Sequence, residues 1–321
     1  MILKEEIIDN LSILIANNVI GDKQYNNRFK GFVGELDFKE FIRLNKPENT
    51  YLDGGIFLPT KEKAFYLDKP VFFTVTSDPI DQYSDIYRQI AHVDCKALYM
   101  LSWQSDTEKV WESRDLLMIG KKLLVPALTV NKYIHGNFMP SSLEEFLGEF
   151  RRIHYYHYED KVHAEIKEKF TDILMRFDEK DLKDLYVQRL VFDGFIGLKY
   201  ERGKPSDIDQ VVRSHQKGEY YFLEVKEKDL CKREPKGFGM DVDRVIFFDE
   251  LSNQTSIQTF YFIKQIKEQQ KREFLNWRYI SMAEFSAHCD RTAVEGGSGM
   301  RAENSSNPTW ICPEEYFKTY R

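Results

Sequence analysis

SDIDQVVRSHQKGEYYFLEVKEKD, residues 206–229, decides how this chain is read. Two runs rich in β-branched and aromatic residues flank HQKG, a turn signal, so the stretch predicts a β-hairpin. Side chains alternate along a strand, and residues two apart share a face. In EYYFLEVK, Tyr220, Phe222, Glu224 and Lys226 take one face, while Tyr221, Leu223 and Val225 take the other. In DIDQVV, Asp207 and Asp209 share a face opposite Ile208, Gln210 and Val212. Joined at HQKG, the two strands bring an acid pair up to Glu224 and Lys226.

Carboxylates that converge on one spot repel one another unless a cation sits among them. Their oxygens are hard ligands that suit Mg²⁺ or Mn²⁺. Such an ion lowers the pKa of a bound water and neutralises charge developing at phosphorus. Lys226, close by, would position the water or stabilise that charge. The chemistry this predicts is hydrolysis of a phosphodiester. A bare Glu-x-Lys carries little, since Glu165-Ile-Lys167 and Glu234-Pro-Lys236 also match. The first lies in a helical pattern and the second holds a proline. Only Glu224-Val-Lys226 ends an aromatic strand with an acid on the strand before it. The bland alternative is a solvated hairpin face with an incidental salt bridge.

Around the hairpin the chain alternates helical and strand-like segments. HAEIKEKFTDILMRF has a helical period, and EKDLKDLYVQRLVFDGF reads as a second helix stopped by Gly194. FIGLKYE at 195–201 reads as a strand, MDVDRVIFFDEL as a helix, FYFIKQI and WRYISM as strands, and AEFSAHC as a helix. Nearer the N-terminus, Ile7, Leu11, Leu14 and Ile15 fall at helical spacing, and GFVGELDFKEFIRL reads as another helix. GGIFLP, PVFFTV and KALYMLSW read as strands, and PSSLEEFLGEFRRI as a Ser-capped helix. The last residues form a Gly/Ser/Asn-rich loop, after which Trp310, Tyr316 and Phe317 dock on the body. This division predicts an α+β domain over 1–158, for substrate selection, a partner or oligomerisation. A second domain follows over 159–321.

The chain has 321 residues and a formal net charge of -6, which argues against non-specific coating of nucleic acid but leaves room for a local basic groove. Its four cysteines, Cys95, Cys231, Cys289 and Cys312, form no CxxC pair, which points to a reducing, cytoplasmic setting. No apolar run reaches bilayer-spanning length, so no membrane partner is expected.

With its acid-bearing strand, Glu224-Val-Lys226 and following helix, the segment 179–285 resembles the PD-(D/E)XK nuclease superfamily, which includes restriction endonucleases. The resemblance implies an α/β fold, a restriction-endonuclease-like mixed central sheet flanked by helices, with the N-terminal α+β domain added. It implies a divalent-metal-dependent endonuclease acting on DNA in restriction, phage defence or repair. Glu224 matches the second metal ligand, with the Val225 carbonyl contributing, and Lys226 matches the catalytic lysine. Asp209 matches the metal-binding Asp, and Asp207 is its rival. Many members carry a further acid on the preceding helix. Here Glu179, Asp181 and Asp184 are available, with Asp184 favoured, and Glu35 is an alternative that requires a long insertion. Double-strand cutting implies a homodimer.

Three other readings stand beside this one. They are an RNA-cutting nuclease of the same fold, a catalytically idle nucleic-acid-binding or assembly module, and a hydrolase using a metal on His154, His157 and His163. No nearby Cys or Glu-x-x-His pattern supports the last, so ordinary surface histidines are the favoured explanation of that cluster. CKREPKG with Lys226 and Lys228 forms either a basic lip for phosphates or a solvated face.

Overall fold

The structure, a computed structural model, describes residues 3–59, 69–104, 111–117, 120–153, 158–201, 204–232, 234–295 and 307–320. The helices are α1 (Lys4–Ala16), α2 (Asp22–Asn45), α3 (Ser84–Ile90), α4 (Leu143–Gly148), α5 (Ala164–Leu174), α6 (Glu179–Arg189), α7 (Gly197–Lys199), α8 (Val242–Thr255) and α9 (Met282–His288). The first strands are β1 (Thr50–Leu58), β2 (Val71–Thr76), β3 (Ala97–Trp103), β4 (Glu112–Arg114), β5 (Leu123–Val125), β6 (Leu128–Ile134), β7 (Asn137–Ser141) and β8 (Arg151–Arg152). The remainder are β9 (Tyr200–Glu201), β10 (Ser206–Ser214), β11 (Glu219–Lys228), β12 (Gly237–Asp241), β13 (Gln258–Ile266), β14 (Phe274–Ser281), β15 (Asp290–Glu295), β16 (Pro308–Pro313) and β17 (Lys318–Tyr320). The protein is a mixed α/β molecule.

Two compact units interleave along the chain. One comprises Met1–Phe29 and Gly55–Asp207, the other Lys30–Gly54 and Ile208–Arg321. The chain crosses between them within α2, β1 and β10. Residue 158, where the sequence reading divides the chain, lies inside the long segment of the first unit.

In the first unit, β2 pairs parallel with β3, and β1, β6 and β7 extend the ladder antiparallel. Every residue of β2 (VFFTVT) is buried, the pattern of a strand covered on both faces. Aromatic side chains dominate its core, with Phe73 edge-on to Phe146 and Phe72 edge-on to Tyr87. Tyr25 and Phe29 pack on Phe170 of α5.

The segment 195–201 corrects the sequence reading. Residues Leu190–Ile196 form a π-helical turn that carries α6 into α7, and only Tyr200–Glu201 is strand. Gly194 therefore does not stop the helix. A short apolar run is compatible with a buried helix or a buried strand, and tertiary partners decide. Here Asp193, fully buried in the π-turn, is gripped by Arg28 and accepts from Asn18 Nδ2 at 3.0 Å.

The second unit orders its strands β17-β14-β13-β11-β10-β1. β10 and β11 form the expected antiparallel hairpin, with Gln210 opposite Leu223 and Val212 opposite Tyr221. Its turn closes through Gly218 N–H donating to Ser214 O at 2.8 Å, with Gly218 at φ +70°, a conformation that favours glycine. α8 crosses over to β13, which lies parallel to β11. Alternation along β11 separates two layers. Leu223 and Val225 join Val212, Phe262 and Trp277 beneath Phe38 and Ile42 of α2. On the opposite face Tyr261, buried, meets Phe285 of α9 and Phe317 edge-on. Phe317 thus docks as expected, whereas Tyr316 is exposed and stacks on His288 at 4.0 Å. β12, β16 and β15 form a small separate sheet. The Gly/Ser/Asn-rich stretch before β16 lies outside the described residues from 296 to 306.

Candidate metal centre

The hairpin register fixes the site. Continuing the β10–β11 pairing by one step from Gln210 and Leu223 sets Asp209 opposite Glu224, on the face away from α2. Asp207, two residues before Asp209 on the same strand, shares that face. Asp207, Asp209 and Glu224 each offer a carboxylate oxygen, and these oxygens lie within 4.8 Å of one another. Glu224 is 1% exposed, Asp207 is half-buried, and the side chain of Asp209 is 4% exposed.

Cations and one amide hold the cluster in place. Asp209 Oδ2 accepts from Val225 N–H at 2.7 Å and from Lys226 Nζ at 3.3 Å. Lys226 Nζ also lies 2.8 Å from Glu224 Oε1. Val225 therefore meets the cluster through its N–H. Arg244, in the first turn of α8, donates from Nη2 to Glu224 Oε2 at 2.5 Å and from Nε to Oε1 at 3.3 Å. Lys228 follows Lys226 on the same face. Burial pushes its ammonium below the ordinary lysine range, against the pull of Asp241 and with the repulsion of Lys226.

The sequence reading named Asp207, Asp209, Glu224 and Lys226, and the structure gathers all four. It did not single out Arg244, which lay within a segment read only as a helix. A signal was present, because a cation in the first turn of a helix opposes the helix dipole and calls for a partner elsewhere.

Asp184 sits on α6 in the first unit, buried and paired with Lys180 at 3.0 Å, and is not one of the clustered acids. Asp181 is also buried on α6. In the second unit the helix that precedes the hairpin in the chain is α2, which packs on the opposite face of the sheet. On it Asp37 pairs with Lys264 at 2.5 Å, and Glu35 is half-buried. His163 pairs with Asp22 at 2.6 Å, while His154 and His157 lie outside the described residues.

Three oxygen donors so close suit a hard divalent ion. Lys226 and Arg244 supply the positive charge that balances the acids in the protein alone. The class these features define is a mixed α/β protein with a three-carboxylate, lysine-flanked cluster on a central hairpin. No family model, curated protein or solved structure matches the chain. No helix among the described residues is long and apolar enough to cross a membrane.

Proposed function

We propose that the chain is a divalent-metal-dependent nuclease of the PD-(D/E)XK type, hydrolysing phosphodiester bonds of DNA. The observation that carries this reading is the convergence of Asp207, Asp209 and Glu224 within 4.8 Å, with Lys226 bridging Asp209 and Glu224. The order of elements in the second unit adds support. Helix α2, strands β1, β10 and β11, crossover helix α8 and parallel strand β13 follow the helix, strands, helix, strand order that such a core would have, with Gly55–Asp207 inserted after the first half of β1.

Asp207, Asp209 and Glu224 would hold Mg²⁺ or Mn²⁺, which when bound polarises a phosphoryl oxygen and acidifies a water. Lys226, on the same face, would place its ammonium beside charge developing on the phosphate. Val225 N–H fixes the Asp209 carboxylate, so this ligand is oriented before the ion arrives. Cutting both strands of a duplex would take two copies of the chain.

One observation favours a second reading, the idle module: both Glu224 oxygens are already engaged by Lys226 and Arg244. Labelled DNA and RNA incubated with purified protein in Mg²⁺, Mn²⁺ or EDTA separate the readings. DNA cutting that needs metal and disappears in Glu224→Ala and Lys226→Ala is expected. Cutting of RNA alone would move the substrate, and binding without cutting in either metal would leave the idle module.

A further inference from the structure

Glu224 is buried, yet two side chains of opposite charge close on it. Arg244 grips both of its oxygens through a planar fork, and Lys226 shares one of them. A divalent ion on Asp207, Asp209 and Glu224 needs at least one Glu224 oxygen. Two positive groups already on that carboxylate repel the incoming ion. One of them must let go.

The two differ in how they are held. Lys226 also contacts Asp209 and stays in the cluster after losing Glu224. Arg244 comes from another element and reaches across from α8, its guanidinium 4.8 Å from the Phe248 ring and 5.6 Å from the Phe247 ring. Its position in that helix is electrostatically poor. Asp241 is the N-cap of α8, so Arg244 is the third residue in, where the helix dipole disfavours a cation and glutamate is common. Asp241 makes no side-chain cap, its carboxylate accepting instead from Asn307 Nδ2 at 2.6 Å and Thr309 Oγ1 at 3.5 Å. Glu224 and the two rings stabilise the guanidinium while its own helix opposes it, and that opposition favours its release when an ion takes Glu224.

We propose that Arg244 is a placeholder for the cation: its fork holds the Glu224 carboxylate until a divalent ion takes it, and the released fork then meets the phosphate bound to that ion. A guanidinium pairs with two phosphate oxygens by the same geometry it uses on a carboxylate. The proposal rests on the metal-nuclease reading and adds a competition that this reading does not require.

Calorimetric titration with Mn²⁺ alone tests it, on the full chain and on Arg244→Gln, Arg244→Lys and Glu224→Gln. Arg244→Gln removes the charge and keeps one amide donor for Glu224, so the buried acid retains a partner. Mn²⁺ affinity is expected to rise roughly tenfold or more in Arg244→Gln, the worth of one hydrogen bond to a charged group. It should rise less in Arg244→Lys and fall in Glu224→Gln. In Ca²⁺, anisotropy of a short labelled DNA duplex should show Arg244→Gln binding more weakly, its salt slope lower by about one. An unchanged or weaker Mn²⁺ affinity in Arg244→Gln, with a thermal melt showing it folded, overturns the placeholder while leaving the metal reading in place. A wild-type chain that binds no Mn²⁺ overturns both. If Arg244→Gln does not fold, Arg244→Lys decides by the same sign.

Discussion

Lys226 and Glu224, two residues apart on β11, form an ion pair with Nζ 2.8 Å from Oε1, and the same Nζ reaches Asp209 on β10 at 3.3 Å. One ammonium thus spans both strands of the hairpin. With a side chain 39% exposed, it borders solvent while the two carboxylates it touches are almost wholly covered. Under the nuclease reading this places the lysine between the ligands and the substrate. Lys226→Ala should lower the single-turnover cutting rate by about 10²–10³-fold, the usual cost of one preorganised charge at a developing anion. Mn²⁺ binding should persist, because the substitution removes a cation and no ligand. Cutting at the wild-type rate would remove Lys226 from the chemistry.

Asp209 is tied to the backbone of the facing strand. Its Oδ2 accepts the Val225 N–H at 2.7 Å, and its side chain is 4% exposed. Asp209→Ala strands that N–H and should cost about 1–3 kcal/mol in urea denaturation, the penalty for a buried donor left unmet. Asp209→Asn keeps an oxygen for the amide and should retain most of the stability while losing Mn²⁺ affinity. A pair of variants equal in stability would show that the contact with Val225 contributes nothing.

Gly54 tests the junction on which the second unit depends. A Cβ at this position of β1 would lie 1.7 Å from Ile208 O on β10, with no flexible side chain to yield. Gly54→Ala must push the two backbones apart. It should destabilise the protein by about 3 kcal/mol, the upper end of overpacking costs, read as a lowered urea midpoint. The same variant should reduce Mn²⁺ affinity, since β10 carries Asp209. A fully stable Gly54→Ala chain would contradict the close pairing of β1 with β10.

The hairpin was legible because its information is local. Strand alternation, a four-residue turn and charges on alternate positions are all written within residues 206–229, and the side-chain faces follow from period two alone. Three features were not legible. That α2 and the first half of β1 belong with β10 is a pairing across the whole of Gly55–Asp207, and no local pattern encodes a partner so distant. A helix stripe shows which face is buried and not against what, so the sequence reading looked to the nearest preceding helix, α6, for the further acid. The run FIGLKYE carries β-forming residues, but burial and the Arg28–Asp193 pair hold the preceding π-turn in helical form. Arg244 was hidden for a different reason: its partner Glu224 is twenty residues away and visible only once β11 and α8 are in place.

His163 and Asp22, in the first unit, give a prediction independent of any catalytic reading. His163 Nδ1 donates to Asp22 Oδ2 at 2.6 Å, and the His163 backbone N–H donates to Oδ1 at 2.9 Å. The Asp22 hydrogen bond holds the imidazole pKa above its ordinary 6.5, and the His163 contacts, the backbone one first, hold the Asp22 carboxyl below its ordinary 3.8. The signs are opposite. The raised histidine contributes stability that is complete below its unfolded pKa and is lost as pH rises through the folded value. The depressed aspartate contributes above its unfolded pKa and is lost as pH falls through the folded one. The pair is therefore strongest in mildly acidic solution, between these limits. Both groups face solvent, so the effect on the urea midpoint should be small and should shrink with added salt. An NMR titration should find His163 protonated to a higher pH than a free histidine, and Asp22→Asn should return it towards the ordinary value. A histidine that titrates identically in both proteins would show that the pair does not persist in solution.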